Sequence, residues 1–127
     1  MNTVKIYPDK QLIVGKYNGD VCMNDIVSLT QEMVLNSSYS PLFNGVTDCR
    51  GVNLLVTPDE MNAFTRGVID DEVSLGTWCF ICDEPNTTAY MMLFQSNLKS
   101  RHPVEVYSTV DAASNRLNID LKEYLIP

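Results

Sequence analysis

The stretch Gly76–Cys82, Gly-Thr-Trp-Cys-Phe-Ile-Cys, constrains this chain more than any other. It is nearly all apolar and rich in aromatic and β-branched residues. A strand with one wet face alternates apolar and polar side chains. A strand that does not alternate must be covered on both faces, as in the middle of a parallel sheet. The run therefore predicts a central strand with helices packed above and below it.

The rest of the chain supplies partners for that strand. Thr3–Tyr7 alternates, with Val4 and Ile6 on one face and Lys5 and Tyr7 on the other. Pro8-Asp9-Lys10-Gln11 has turn chemistry and Leu12–Tyr17 is a second strand, so the chain opens with a hairpin. Asn18-Gly19-Asp20 breaks it. Asn24 or Asp25 can cap a first helix, with Ile26, Leu29, Thr30, Met33 and Val34 as its apolar stripe. Phe43–Asp48 reads as a strand, and Cys49–Val56 as a loop. Thr57-Pro58-Asp59-Glu60 carries an N-cap Thr, Pro at the first helical position and Glu three residues after the cap. The helix it starts buries Met61, Phe64, Val68 and Ile69. It should stop before Asp70-Asp71-Glu72, whose charges oppose a helix C-terminus.

After the central strand and an Asp83-Glu84-Pro85-Asn86 turn, Thr87 or Thr88 can cap a third helix. This helix is apolar almost all round, which implies deep burial or a contact between subunits in a homodimer. Arg101-His102 precede a last strand, Pro103–Tyr107. Ser108-Thr109-Val110-Asp111 resembles a capping box for a fourth helix, and the tail, residues 120–127, can add one more turn. The order β-β-α-β-α-β-α-β-α predicts one α/β domain over residues 1–127. Its sheet is mixed but mostly parallel, with about five strands and right-handed crossovers, packed by about four helices.

Charge and length exclude several roles. A net charge of −7 gives no basic footprint for a phosphate backbone, so nucleic acid is not an expected partner. No apolar run approaches the roughly 20 residues of a membrane span. Lys5, Asp9, Lys10 and Lys16 interrupt any leader-like apolar segment near the start, and the four cysteines then read as reduced thiols in a cytoplasmic protein. At 127 residues the chain needs neither disulfides nor metal to fold, and no cofactor is implied.

The element order resembles the STAS-like fold of anti-sigma-factor antagonists. It looks most like the uncharacterised bacterial branch related to CRAL-TRIO lipid-binding domains. The likeness rests on the opening Leu12-Ile13-Val14-Gly15-Lys16-Tyr17-Asn18-Gly19, the strand end Val46-Thr47-Asp48-Cys49-Arg50-Gly51, and the close Val104-Glu105-Val106-Tyr107-Ser108-Thr109-Val110-Asp111-Ala112-Ala113. Phosphorylated antagonists carry Asp-x-Ser-Gly after the second of these, and the Ser takes the phosphate. Here the stretch is Asp48-Cys49-Arg50-Gly51, with Arg50 at the Ser position, so no phosphorylation is expected there. The resemblance implies a non-enzymatic interaction or regulatory module with a protein partner. Its lipid-carrying relatives imply a second option, a binding domain for a small apolar or anionic ligand.

Several residues can carry chemistry. Asp48, Arg50, Asp83 and Glu84 fall at the C-terminal ends of two predicted parallel strands, the edge where open α/β sheets bind ligands. Arg50 there can anchor an anion, or simply pair with a carboxylate while the acids cap helices. Tyr90, Met91, Met92 and Phe94 can line an apolar cavity or an interface, or pack the core. Cys79 and Cys82 have the spacing of a redox C-x-x-C pair. Extended backbone, however, separates residues three apart by roughly 10 Å and turns them to opposite faces, whereas a disulfide needs Cα atoms within ~7 Å. Structural thiols are the simpler reading. Cys22, Cys49, Cys79, Cys82 and His102 are the right residue types for zinc but lack paired spacing, so no metal site is expected. His102, the sole histidine, lacks a nucleophile motif and is expected in a surface loop. No P-loop or G-x-G-x-x-G is present, and no catalytic set can be assigned.

Overall fold

A computed structural model describes residues 2–98 and 102–125. The strands are β1 (Thr3–Tyr7), β2 (Leu12–Lys16), β3 (Asp20–Cys22), β4 (Asn44–Asp48), β5 (Asn53–Leu55), β6 (Trp78–Ile81) and β7 (Val104–Tyr107). The helices are α1 (Met23–Val34), α2 (Pro58–Asp70), α3 (Pro85–Asn97) and α4 (Val110–Leu117). Five strands form the main sheet in the order β1-β2-β4-β6-β7. The β1–β2 hairpin is antiparallel and every other neighbour in the sheet is parallel. This is the mixed, mostly parallel sheet that the sequence predicts.

Helices cover both faces. Cys79 and Ile81 of β6 are fully buried against Ala113 and Leu117 of α4 and Leu121 of the C-terminal turn. Trp78 and Phe80 of the same strand pack into a larger cluster with Ile26 of α1, Met61 and Val68 of α2, and Met91 and Phe94 of α3. The lack of alternation in Gly76–Cys82 thus reflects two cores, one on each face of the strand.

Local chemistry sets the helix starts. At α2, Thr57 Oγ1 accepts from Glu60 N at 3.1 Å and Glu60 Oε1 accepts from Thr57 N at 2.8 Å, the reciprocal box read from the sequence. Thr109 caps α4 by accepting from Ala112 N at 3.1 Å.

Other boundaries differ from expectation. The α1 cap is Cys22, not Asn24 or Asp25; Asp25 sits three residues in and accepts from Cys22 N at 2.9 Å. The α3 cap is Glu84, with Pro85 opening the helix. Thr87 lies one turn inside, where its hydroxyl donates to Val52 O at 2.9 Å. Helix α2 continues through Asp70, exposed on its final turn, so water screens the unfavourable dipole contact. The predicted loop after β4 contains β5, which pairs in parallel with β3 as a small second sheet. Val34, assigned to the apolar stripe, is exposed, as are Met92 and Leu93 of α3, so the apolar circumference of α3 is only partly buried. The expected extra turn in the tail is a short 3-10 segment, Leu121–Glu123; residues 126–127 and Arg101 lie outside the described residues.

Candidate functional site

Two places in the molecule collect the candidate residues. The first is the C-terminal edge of the sheet. Asp48 ends β4 fully buried, and its carboxylate needs donors there. Lys16 Nζ donates to Oδ2 at 3.0 Å. Arg50 donates Nε to Oδ1 and Nη2 to Oδ2, both at 2.9 Å, and its backbone N donates to Oδ1 at 3.1 Å. Burial alone would raise the Asp48 pKa. The hydrogen bonds from Arg50 and Lys16, with the Lys16 charge, overcome it and hold the carboxyl at about 2. The Arg50 guanidinium is therefore committed to Asp48 in a two-pronged pair. Asp83 is close by and accepts from Gly51 N at 2.8 Å, closing the loop after β4 over the edge. Glu84 is exposed and caps α3 through its backbone only.

Cysteines meet at this edge in a way their spacing hides. Cys49 follows β4 and Cys82 follows β6; Cys49 N donates to Ile81 O at 2.8 Å, continuing the parallel ladder. Both are buried, and their thiols are hydrogen-bonded to each other. That bond and burial push the Cys49 thiol well above its ordinary range. Cys79 belongs to the core on the opposite face, and burial followed by the Glu105 charge pushes it up to about 11. Cys79 and Cys82 thus point into different cores. Cys22 is exposed. Among the described residues no three His, Cys, Asp or Glu side chains gather as a metal site, and no helix is long and apolar enough to cross a membrane.

The second place is a cavity of about 110 Å³ between the sheet and α1, α2 and α3. Met33, Met61 and Met91 contribute flexible walls, one from each helix, and Phe94, Trp78 and His102 contribute rings. The aromatic part is held in place by its neighbours. Phe94 lies edge-on to Phe80, with centroids 5.9 Å apart, and tilted against Phe64 at the same separation. Trp78 lies over Gly45, its register partner on β4; a Cβ there would come within 2.3 Å of the indole. The absent side chain lets the ring lie flat, and its Nε1 donates to Thr47 Oγ1 at 2.8 Å. Of the residues expected to line an apolar site, Met91 and Phe94 reach this cavity, and Tyr90 packs against the surrounding core.

His102 corrects its sequence reading. It does lie in the loop before β7, but it is only 3% exposed. Its Nδ1 is 2.9 Å from Ser74 O, and its Nε2 is buried with no partner among the described residues. Sequence reasoning gave this residue no ligand role outside zinc, because nothing local marks a loop histidine as buried. A separate, open cleft of about 420 Å³ beside Cys82, Met92, Gln95 and Tyr107 has mixed polar walls.

No family model matches the chain, and no curated protein does. Among solved structures, it is similar to an uncharacterised protein of the DUF3478 family from Shewanella loihica, described as having a SpoIIAA-like fold. The two share 10% identity and a TM-score of 0.61, over 92% of each chain. At that identity the likeness concerns fold alone, and the chain has the SpoIIAA-like, or STAS-like, α/β fold.

Proposed function

We propose that this chain is a non-enzymatic STAS-like binding domain that holds a small, largely apolar molecule between its sheet and α1–α3. The observation that carries this reading is the cavity itself. Protein interiors pack like organic crystals and rarely tolerate voids larger than a water molecule. At roughly 24 cal/mol per Å³, an empty space of 110 Å³ costs on the order of 2–3 kcal/mol. An apolar ligand filling it recovers that loss. An engineered apolar cavity of about 150 Å³ takes up benzene, so the size suits one ring or a short alkyl chain, with the methionines adjusting.

Arg50 stands where the family's phosphorylatable Ser would, and Asp48 already occupies it, so a phosphate switch has no acceptor at this position. A protein partner is the second reading. It is supported by Met92 and Leu93, which α3 leaves exposed side by side.

Thermal unfolding with and without toluene tests the first reading, and Val68→Phe, which projects a ring into the void from α2, controls for it. The expected result is a rise in Tm with toluene for the wild type, and a higher Tm with no toluene response for the variant. No toluene response in the wild type, together with a destabilised variant, rejects the cavity as a binding site.

A further inference from the structure

Resting on that cavity reading, we infer that the ligand is a neutral molecule with one hydrogen-bond donor, an alcohol or phenol, and that the donor binds Nε2 of His102. The imidazole fixes its own polarity. Ser74 O carries only lone pairs, so the 2.9 Å contact requires Nδ1 to hold the proton. In the neutral ring Nε2 is then an acceptor, and it is the one buried side-chain polar atom without a partner among the described residues. A buried acceptor left unpaired is a defect that folded proteins seldom retain. Here it belongs to a residue in the wall of the void.

Three other polar groups of the wall are already satisfied. Trp78 Nε1 donates to Thr47, Thr30 Oγ1 to Ile26 O, and Thr87 Oγ1 to Val52 O. Among the described residues the wall contains no Lys, Arg, Asp or Glu. Lys16 and Arg50, at the sheet edge, are both spent on Asp48. Among the described residues a carboxylate would therefore find no free counter-charge in the wall, and it would face a lone pair. A hydroxyl would complete the imidazole's hydrogen bonding while its ring or chain fills the apolar remainder.

Phenol, toluene and benzoate are near-isosteric probes that separate these cases. In a purely apolar cavity toluene binds more tightly than phenol, because the hydroxyl loses its water. A waiting acceptor reverses that order. Binding to the full chain can be followed by calorimetry, and His102, the single histidine, by its imidazole ¹⁵N signals. The expected result is phenol bound about ten-fold more tightly than toluene, with the Nε2 resonance moving upfield for phenol and staying still for toluene. His102→Phe should keep toluene binding and abolish the preference for phenol. If that variant does not fold, the wild-type ¹⁵N shift decides alone. Toluene binding as tightly as phenol with Nε2 unmoved overturns the inference and leaves the cavity reading intact. Benzoate binding more tightly than phenol overturns it in favour of an imidazolium site. If none of the three binds, both readings fall.

Discussion

Asp48 shows how one buried charge can be tolerated and what it does to the molecule. Its folded pKa of about 2 lies below its ordinary value of 3.8. A lowered carboxyl pKa stabilises the fold above the ordinary value, and the contribution disappears as pH falls through the folded one. The native state should therefore lose on the order of 2 kcal/mol between about pH 4 and pH 2 from this group. Asp48→Asn should lose about the same amount at pH 7 and show a flatter acid limb, read by urea unfolding across that pH range. The loss should fall short of a fully buried broken pair, because Lys16 and Arg50 are part-exposed and water can take over their charges. This network was only half visible in the sequence. Asp48 and Arg50 stand two apart at a strand end, but Lys16 joins them only because β2 and β4 run parallel with Lys16 beside Asp48.

Elements were legible in proportion to how local their causes are. The start of α2 is written in four consecutive residues, and its geometry matches them. Removing the cap hydroxyl with Thr57→Ala should cost about 1 kcal/mol in chemical unfolding, and Val can substitute no better, since it accepts no hydrogen bond. The β3–β5 ribbon could not be read in the same way, because each strand has three residues and its partner lies some thirty residues away. Nor could the burial of His102, which depends on Ser74 from a distant turn. The Gly45–Trp78 contact is of this kind too, the two lying thirty-three positions apart. Gly45→Ala puts a methyl into the indole and should destabilise by about 1–3 kcal/mol through overpacking. Trp78 is the single tryptophan, so its fluorescence should change in the same variant without unfolding, a readout confined to the cavity wall.

For the whole molecule, the arrangement of two cores around one sheet sets what reagents can reach. Cys22 is exposed, whereas Cys49, Cys79 and Cys82 are buried. A disulfide-exchange dye should react quickly with one thiol in the native protein and with four after denaturation, the slow three reporting opening of the fold. Two native thiols reacting at once would contradict the burial of the Cys49–Cys82 pair. The sheet also partitions the molecule mechanically. Beneath it, α4 and the C-terminal turn rest on fully buried Leu12, Val46, Cys79 and Ile81 with little space to give. Above it, three helices lean on methionines around a void. One side acts as a foundation and the other as a roof that can be lifted. A guest should therefore be admitted by a shift of the roof helices over an unmoved floor, and amide exchange should slow in α1–α3 when the space is filled while α4 keeps its own pace.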